Sequence, residues 1–398
     1  MANNNKHTGP NVPALRFPEF SGEWEKVKLG DSCTFFSGGT PSSSRKEYYC
    51  GEIPFIRSGE IHSDSTALSI TKEAFASCSA KMVNKGDLLL ALYGATSGDI
   101  SISRINGAIN QAILCIRPKH LNAYFIKSLW ESHKKQILET YLQGGQGNLS
   151  SEIIKNISFI FPNIEEQNKI SELVRKIDKR IETQSKIIED LKTLRSALHH
   201  QIMRNGLADG SWEQKRLSEV LLERTELNSK EYAVHSVSVS KGIVNQIEYL
   251  GRSFAAKDTS KYHVAYPGDI VYTKSPTGEF PYGIIKQSHI SIKAAISPLY
   301  GVYVPLSQEI GYIIHNHFLS AKNALNYLHP LIQKGAKNTI NITNQRFLQN
   351  SIPLPSNQNA TVLYSKTIKA VSDKIALEVS VLDKLQLQKS HFLQTMFI

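Results

Sequence analysis

The stretch ISELVRKIDKRIETQSKIIEDLKTLRSALHHQI, residues 170–202, decides the fold class. Between Val174 and Ile202 its seam residues recur at alternating steps of three and four positions, which is typical of a coiled coil. The stretch contains neither glycine nor proline. A helix of about 40 residues spans ~60 Å, longer than a small domain. We therefore predict a long helix over residues 163–206, and not a helix that packs only on its own domain.

A second seam lies 194 positions later and predicts a second long helix over residues 357–398. The first seam is Val174, Ile177, Ile181, Gln184, Ile188, Leu191, Arg195, Leu198 and Ile202, and the second is Ile368, Val371, Ile375, Glu378, Leu382, Leu385, Lys389, Phe392 and Met396. The first helix enters the second half of the chain and the second helix leaves it, so an antiparallel pair is expected. A register that avoids burying unpaired charge pairs Arg195 with Glu378 and Gln184 with Lys389.

The segments before the two seams are also repeated. Trp24 is followed 188 positions later by Trp212, and Gly86-Asp87 is followed 182 positions later by Gly268-Asp269. Short apolar runs alternate with turn residues in both halves, and residues 122–141 and 307–328 have helical patterns. We predict an α+β protein with a pseudo-twofold internal repeat. Its predicted parts are a flexible tail at 1–20, similar globular domains at 21–162 and 207–356, and the two long antiparallel helices that separate them.

Composition points to a polyanionic partner. The chain has 398 residues and a net charge of +11, from 46 Lys and Arg against 35 Asp and Glu. Both halves have a basic excess, which suits nucleic acid. No apolar stretch approaches the ~20 residues of a membrane helix, and residues 1–13 lack an apolar signal core. A soluble cytoplasmic protein without a membrane partner is expected.

The motifs of common catalytic sites are missing from the sequence. It contains no G-x-x-x-x-G-K-[ST], H-E-x-x-H or G-x-S-x-G motif, and its four cysteines form no C-x-x-C pair. His315 and His317 are predicted to be a surface or strand pair, and His199 and His200 to lie on a solvated helical face. We predict a chain that binds and positions, with no catalytic residue, no metal site and no cofactor of its own.

Two basic domains on a rigid spacer suit duplex DNA with two half-sites on one side. Because the domains differ in sequence, the half-sites should differ too. Arg or Lys recognises guanine, Asn or Gln recognises adenine, and Ser or Thr contacts either. Loops rich in these types supply the candidates, although a phosphate contact or a solvated turn is an equal alternative for each. The candidates are Ser37, Thr40, Arg57, Ser58, Tyr93, Thr96, Ser97, Gln143, Gln146 and Asn148 in the first domain, and Ser238, Lys241, Lys274, Ser275, Thr277, Lys334, Lys337, Asn338 and Asn341 in the second.

The chain resembles the specificity (S) subunits of type I restriction-modification enzymes over nearly its whole length. The similar segments are Leu15–Phe20 with Trp24-Glu25, Ser37–Ser42, Ile53–Arg57, Gly86–Leu89, Ile109–Ala112, and the run from Asn148-Leu149-Ser150 to Phe161-Pro162 and Glu165-Glu166-Gln167. The second half has Asn341–Asn344 and Ile352–Pro355, but Ser356-Asn357-Gln358 replaces the acidic pair.

This resemblance implies a subunit without chemistry of its own. Its two target-recognition domains would each recognise half of a bipartite DNA site. Its helices would recruit two methyltransferase (M) subunits that use S-adenosylmethionine, and restriction (R) subunits would add ATP- and Mg-dependent cleavage. The alternatives are the recognition subunit of a combined nuclease-methylase, a stand-alone DNA-binding regulator and a protein–protein scaffold. Gly86-Asp87 and Gly268-Asp269 are expected to form turns before buried strands.

Overall fold

The computed structural model describes residues 11–142, 148–251, 258–334 and 340–398. The chain forms two compact units. Unit 1 consists of Met1–Lys186 with Ser380–Ile398, and unit 2 consists of Ile187–Val379. Each unit contains one predicted globular domain together with part of both long helices.

Unit 1 is built on two small four-stranded sheets and a pair of closing strands. The first sheet has the order β2-β9-β6-β7, and the second has the order β4-β3-β8-β5 with β3 parallel to β8. Strand β1 pairs with β10, so the unit's first and last strands lie side by side. The elements are β1 (Glu25–Lys28), α1 (Leu29–Ser32), β2 (Cys33–Ser37), β3 (Ile53–Ile56), β4 (Ser69–Ile70), α2 (Lys72–Ala76), β5 (Lys81–Val83), β6 (Leu88–Ala91), β7 (Ile100–Ile102), β8 (Gly107–Ile109), β9 (Ile113–Pro118), α3 (Ala123–Tyr141), α4 (Ser151–Asn156) and β10 (Ser158–Phe161).

Unit 2 repeats this plan. Its sheets have the orders β12-β19-β16-β17 and β14-β13-β18-β15, again with one parallel pair, β13 and β18, and β11 pairs with β22. The predicted internal repeat is therefore confirmed by the matching strand orders, and unit 2 adds the strand pair β20-β21 among the described residues. The elements are β11 (Trp212–Arg216), β12 (Leu221–Glu223), β13 (Val234–Ser238), β14 (Gly242–Asn245), α6 (Gln246–Leu250), β15 (His263–Ala265), β16 (Ile270–Tyr272), β17 (Ile285–Gln287), β18 (Ala294–Ile296), β19 (Gly301–Pro305), α7 (Gln308–His317), α8 (Ala321–Leu328), β20 (Gln333–Lys334), β21 (Ile340–Asn341), α9 (Asn344–Phe347) and β22 (Ser351–Pro355).

The two long helices are α5 (Ile164–Asp209) and α10 (Gln358–Thr395). Each begins after an asparagine cap: the Asn163 side chain accepts the Glu166 N–H at 2.9 Å, and that of Asn357 accepts the Ala360 N–H at 2.9 Å. The lost acidic pair near residue 357 thus leaves the helix start intact. Among the described helices, none combines the length and apolar character required to cross a membrane.

The seam prediction is confirmed, since every seam position in both helices is buried or half-buried. Val174 from the start of α5 and Met396 from the end of α10 lie in one core in unit 1. In unit 2, Ile202 from the end of α5 lies with Ile368 from the start of α10. The helices therefore run antiparallel.

The predicted register of polar seam residues stays a prediction. Lys389 forms ion pairs with Asp178 at 2.8 Å and with Glu131 at 2.9 Å, two acids that the seam pattern did not point to. Glu378 forms an ion pair with Lys374 at 2.5 Å. Asp178 and Glu131 are not seam residues. The long Lys389 side chain reaches them from its seam position.

The helix predicted over residues 307–328 is instead two helices, α7 and α8. The break lies at residues 318–320, where the Ser320 hydroxyl accepts the Asn323 N–H at 3.3 Å and begins a new helix. A serine hydroxyl readily accepts the free backbone N–H groups at a helix start, whereas inside a helix those groups are already bonded to backbone carbonyls. The corresponding helix of unit 1, α3, continues without a break.

The Gly-Asp motifs form turns before buried strands, as predicted. Gly86 and Gly268 have φ angles of +100° and +89°, which favour glycine. The next residue, Asp87, accepts the Asn84 N–H at 2.8 Å and forms two hydrogen bonds to Arg117. Asp269 forms the same type of bidentate pair with Arg224.

Part of the predicted tail packs against unit 1. The Arg16 guanidinium forms a bidentate ion pair with Glu166 in the first turn of α5, and the Leu15 N–H donates to the Thr395 carbonyl at 2.8 Å. The described residues 11–20 are therefore held in place, and the folded part of unit 1 begins before residue 21.

Candidate nucleic-acid interface

Several candidate DNA-contacting residues of unit 1 meet at one end of its sheets. Ser37 pairs with Leu114 and Ala91 with Ile113, so β2 and β6 end where β9 begins. Strand β3 also ends there, because Ile56 pairs with Ile109 just before the turn that leads into β9. The connecting loops form loop cluster 1, which comprises residues 37–40, 57–58, 93–97, 110–111 and 148.

Gln111 links the loops of this cluster. Its side-chain oxygen accepts a hydrogen bond from the Thr40 hydroxyl, and its amide hydrogen-bonds the Tyr93 hydroxyl, whose pKa is raised by burial. Asn148 joins the same cluster, since the next residue, Leu149, donates its N–H to the Leu92 carbonyl at 2.9 Å. Gln111 was not among the predicted contacts, although it lies in a segment that resembles the specificity subunits. Its exposure and its position beside Thr40 make it a candidate for contacting adenine.

Arg57 is the cationic member of loop cluster 1. Its Nε and Nη2 donate to Glu60 at 3.0 and 3.2 Å, and these bonds raise the pKa of Arg57. Glu60 in turn accepts the Ala67 N–H at 2.9 Å, which fixes the carboxylate. Nη1 has no hydrogen-bond partner within the described part of the chain, so Arg57 presents donors on an oriented and exposed side chain.

Unit 2 assembles an equivalent loop cluster 2. Tyr272 pairs with Gly301 and Glu223 with Tyr303, so β16 and β12 end where β19 begins. Strand β13 extends past the end of β18, because His235 pairs with Ile296. Loop cluster 2 comprises residues 238–241, 274–277 and 297–300, and includes the predicted Ser238, Lys241, Lys274, Ser275 and Thr277.

The side chains of loop cluster 2 differ from those of cluster 1. The Lys274 ammonium is half-buried, and burial lowers its pKa while Glu223 raises it. Glu223 also accepts a hydrogen bond from the Asn344 side chain at 2.6 Å. The Lys241 ammonium lies 5.2 Å from the ring centroid of Tyr249, an exposed aromatic that the prediction missed. Cluster 2 therefore presents two lysines beside its serine and threonine hydroxyls, whereas cluster 1 presents Arg57 beside amide and hydroxyl groups.

Some predicted residues are not placed by the structure. Gln143, Gln146, Lys337 and Asn338 lie outside the described residues, and Lys334 is described in its backbone only. Asn341 lies in β21, paired with Gln333. Within the described residues, no three His, Cys, Asp or Glu side chains are grouped as ligands for a metal ion. The loop clusters supply hydrogen-bond donors, acceptors and cations, the groups that contact phosphates and base edges.

The comparison with known proteins agrees with this architecture. Residues 21–193 match the model of the type I restriction modification DNA specificity domain. The MjaIX specificity subunit of Methanocaldococcus jannaschii is 25% identical over 240 residues, which cover 54% of this chain and 55% of that protein. The MjaVIII specificity subunit of the same organism is 25% identical over 242 residues, 58% of this chain and 55% of that protein. The chain spans about half the length of these curated relatives.

A solved structure covers almost the whole chain. The type I restriction-modification S subunit from M. genitalium has a TM-score of 0.60 at 14% sequence identity, and the match covers 97% of this chain and 99% of that chain. At this identity the likeness concerns the fold. The duplicated plan of two units with two long helices is therefore shared with a solved S subunit.

Proposed function

Because residues 21–193 match the model of the type I restriction modification DNA specificity domain, we propose that the chain is the DNA-recognition subunit of a type I restriction-modification complex. It selects the site and does not catalyse the reaction. Each unit recognises one half of an asymmetric bipartite site through its loop cluster. The bases between the two half-sites are not recognised.

One observation supports this proposal above the others: the same loop cluster is built twice with different side chains. The ends of β2, β3 and β6 correspond to those of β12, β13 and β16, with matching strand orders. Thr40, Gln111 and Tyr93 interact in one cluster, whereas Lys274 lies near Glu223 in the other. Equivalent positions with different donors and acceptors suit two half-sites of different sequence.

The duplicated helices supply the proposed partner surfaces. The starts of α5 and α10 have the same asparagine cap and the same seam spacing. Two equivalent surfaces can hold two equivalent subunits. We propose that they hold two M subunits, which bind S-adenosylmethionine and methylate adenine, and that R subunits join them with ATP and Mg. This chain itself binds none of these cofactors.

Two related functions compete with this proposal. The recognition subunit of a combined nuclease-methylase would methylate and cleave through one fused partner. A stand-alone regulator would bind its DNA site tightly with no partner. The capped and duplicated helices favour a chain that holds other subunits over a stand-alone regulator.

The proposal is tested by sequencing the methylome of a methylation-deficient host that expresses this chain with its neighbouring M subunit. The expected result is methyladenine in both halves of one split, asymmetric motif. Replacing residues 1–162 by another first domain should change one half-site only, and replacing residues 207–356 should change only the other. Co-purification of M with the chain but no new methylation, or a palindromic motif, would contradict the proposal. Tight site-specific binding by the chain alone, without association with M, would favour the regulator.

A further inference from the structure

Unit 2 contains a cavity rich in cationic side chains beside the long helix α5. Its volume is about 550 Å³. Its lining includes the cations Lys192, Arg195 and Lys286, two histidines, and two carboxylates. One carboxylate, Glu189, pairs with Lys192 at 2.7 Å, and the other, Glu279, lies on an exposed loop. The full lining is Glu189, Lys192, Arg195, Ser196, His199, His200, Val239, Glu279, Phe280, Lys286, Asn316, Leu319, Ser320 and Ala321.

Two of these cations, the buried Lys286 and the half-buried Arg195, are shielded from water and have no carboxylate partner among the described residues. Lys286 is only 3% exposed, and among the described residues neither Lys286 nor Arg195 forms an ion pair. Burial, together with the nearby Arg195 charge, lowers the pKa of Lys286 to about 8. Burial also lowers the pKa of Arg195. Buried cations are normally paired, so this arrangement requires an explanation.

The internal repeat supplies the comparison, because unit 1 builds the same place with carboxylates. Lys389, 194 positions after Arg195, occupies the corresponding seam position there. It pairs with Asp178 and Glu131, and Lys127 pairs with the same two acids at 3.0 and 2.8 Å. In unit 1, two cations are thus balanced by two carboxylates.

The hydrogen bonds fix which residues correspond. In unit 1 the Tyr124 hydroxyl donates to Asp178, and in unit 2 the Tyr312 hydroxyl donates to Ser372 at 2.8 Å. Ser372 therefore stands where unit 1 has Asp178. The same tyrosine register places Leu319 where unit 1 has Glu131. Both carboxylates are lost in unit 2.

The strands add a cation where unit 1 has none. Leu89 pairs with Ser101, and its counterpart Val271 pairs with Lys286. Lys286 therefore replaces a serine at the same strand position. The same tyrosine register puts His315 where unit 1 has Lys127, so the gain of Lys286 keeps the number of cations at two. With both carboxylates lost, these two cations are unbalanced at a place that unit 1 keeps balanced.

We propose that the cavity beside Arg195 and Lys286 binds an oxyanion of the phosphate class, which takes the place of the missing carboxylates. The guanidinium and ammonium groups match phosphate in charge and in hydrogen-bond donors. The ligand is either free inorganic phosphate or a phosphodiester group of DNA, since both present the same oxygens. Binding of free phosphate does not depend on the proposed function, whereas binding of a DNA phosphate rests on it, and the experiment below separates the two.

Of the histidines in this region, His199 lines the cavity, whereas His315, on helix α7, is not part of the lining. The His315 Nδ1 accepts the Gln287 N–H at 3.0 Å, which makes Nε2 the donor in the neutral ring. The His199 Nε2 is buried, with no hydrogen-bond partner in the described part of the chain. Both histidines were predicted to be solvated or surface residues. That prediction was wrong for His199, which is 3% exposed. The surface or strand pair predicted for His315 and His317 was also wrong, because both lie on helix α7, His315 half-buried and His317 7% exposed.

The experiment installs the carboxylate of unit 1. Full-length parent and Ser372→Asp chains are compared by differential scanning calorimetry and by titration calorimetry with sodium phosphate at low ionic strength. Tyr312 can donate to the new carboxylate as Tyr124 does to Asp178. Ala370→Asp adds the same charge at an exposed position of α10 and is the matched control. Phosphate should raise the Tm of the parent and of the control but not that of Ser372→Asp. Without phosphate, Ser372→Asp should have a higher Tm than the parent.

Two further variants keep the proposal testable if Ser372→Asp does not fold. Arg195→Gln and Lys286→Met should each weaken phosphate binding roughly tenfold or more, because each removes a charged donor. If phosphate has no effect but Ser372→Asp weakens duplex DNA binding about tenfold relative to Ala370→Asp, the ligand is a DNA phosphate. The proposal would be overturned if Ser372→Asp still bound phosphate. It would also be overturned if all three variants kept both phosphate binding and DNA binding.

Discussion

The substitution Glu166→Gln tests whether the ordered N-terminal segment stabilises unit 1. The Glu166 and Arg16 side chains are 0% and 2% exposed, and their nitrogen–oxygen distances are 2.8 and 2.7 Å. Arg16 also donates to the Gly22 and Ser21 carbonyls. Four of the five guanidinium N–H donors are therefore in use, and within the described residues Glu166 is the one carboxylate that pairs with Arg16.

The expected cost follows from leaving Arg16 buried with a neutral partner. Removing one member of a buried ion pair costs about 3–5 kcal/mol, and the carboxylate in the first turn of α5 adds about 0.3–1 kcal/mol through the helix dipole. Lys169→Gln is the control, because it breaks the exposed pair with Glu19 at 3.2 Å in the same region. The control should leave the stability unchanged.

Urea unfolding followed by tryptophan fluorescence measures both effects. Trp24 and Trp130 are fully buried in the unit 1 core, so a Trp212→Phe background reports unit 1 alone. The unfolding midpoint should fall sharply for Glu166→Gln and remain in place for Lys169→Gln. Equal, small shifts in the two variants would refute the conclusion that residues 11–20 belong to the folded unit.

Three other predictions concern His199 in unit 2, the end of the first long helix α5, and loop cluster 1. Burial lowers the pKa of His199 to about 4, so the unfolded chain binds the proton first and stability should fall by up to about 3 kcal/mol as the pH drops from 6.5 to 4. Calorimetric Tm values should show a weaker pH dependence in His199→Leu but not in the exposed control His391→Leu. Gly206→Ala places a Cβ 2.1 Å from the Trp212 ring and should cost about 1–3 kcal/mol in urea unfolding; an unchanged midpoint would contradict this packing. Gln111→Ala should relax one base in one half of the methylated motif, a discrimination of about 1–3 kcal/mol, and an altered second half would contradict the assignment.

The periodic and repeated features could be predicted from the sequence. The seam positions identified both long helices because a strict heptad depends only on local spacing. The Gly-Asp turns were predictable for the same reason, since the positive φ of Gly86 and the capping role of Asp87 are local. The repeat offsets then implied two similar units.

Interactions between distant positions could not be predicted. Arg16 lies 150 residues from Glu166, and no local pattern marks that pair. Gln111 links Thr40 and Tyr93 only after three strand ends meet. His199 lies next to the seam of α5, and its burial depends on Tyr364, whose hydroxyl lies 2.7 Å from the His199 Nδ1. Each outcome is set by tertiary packing.

The composition of the unit 1 core has a consequence for synthesis on the ribosome. Met396 and Phe397 lie in that core with Val174 and Ile170, and Leu15 bonds the Thr395 carbonyl. Unit 2, residues 187–379, is one continuous stretch of the chain. The core of unit 1 cannot be completed until residues 380–398 are made, which is on the order of 10–40 s after residue 186 at bacterial elongation rates. The first unit is therefore expected to expose part of its apolar core through most of synthesis, which makes it a natural client for chaperones.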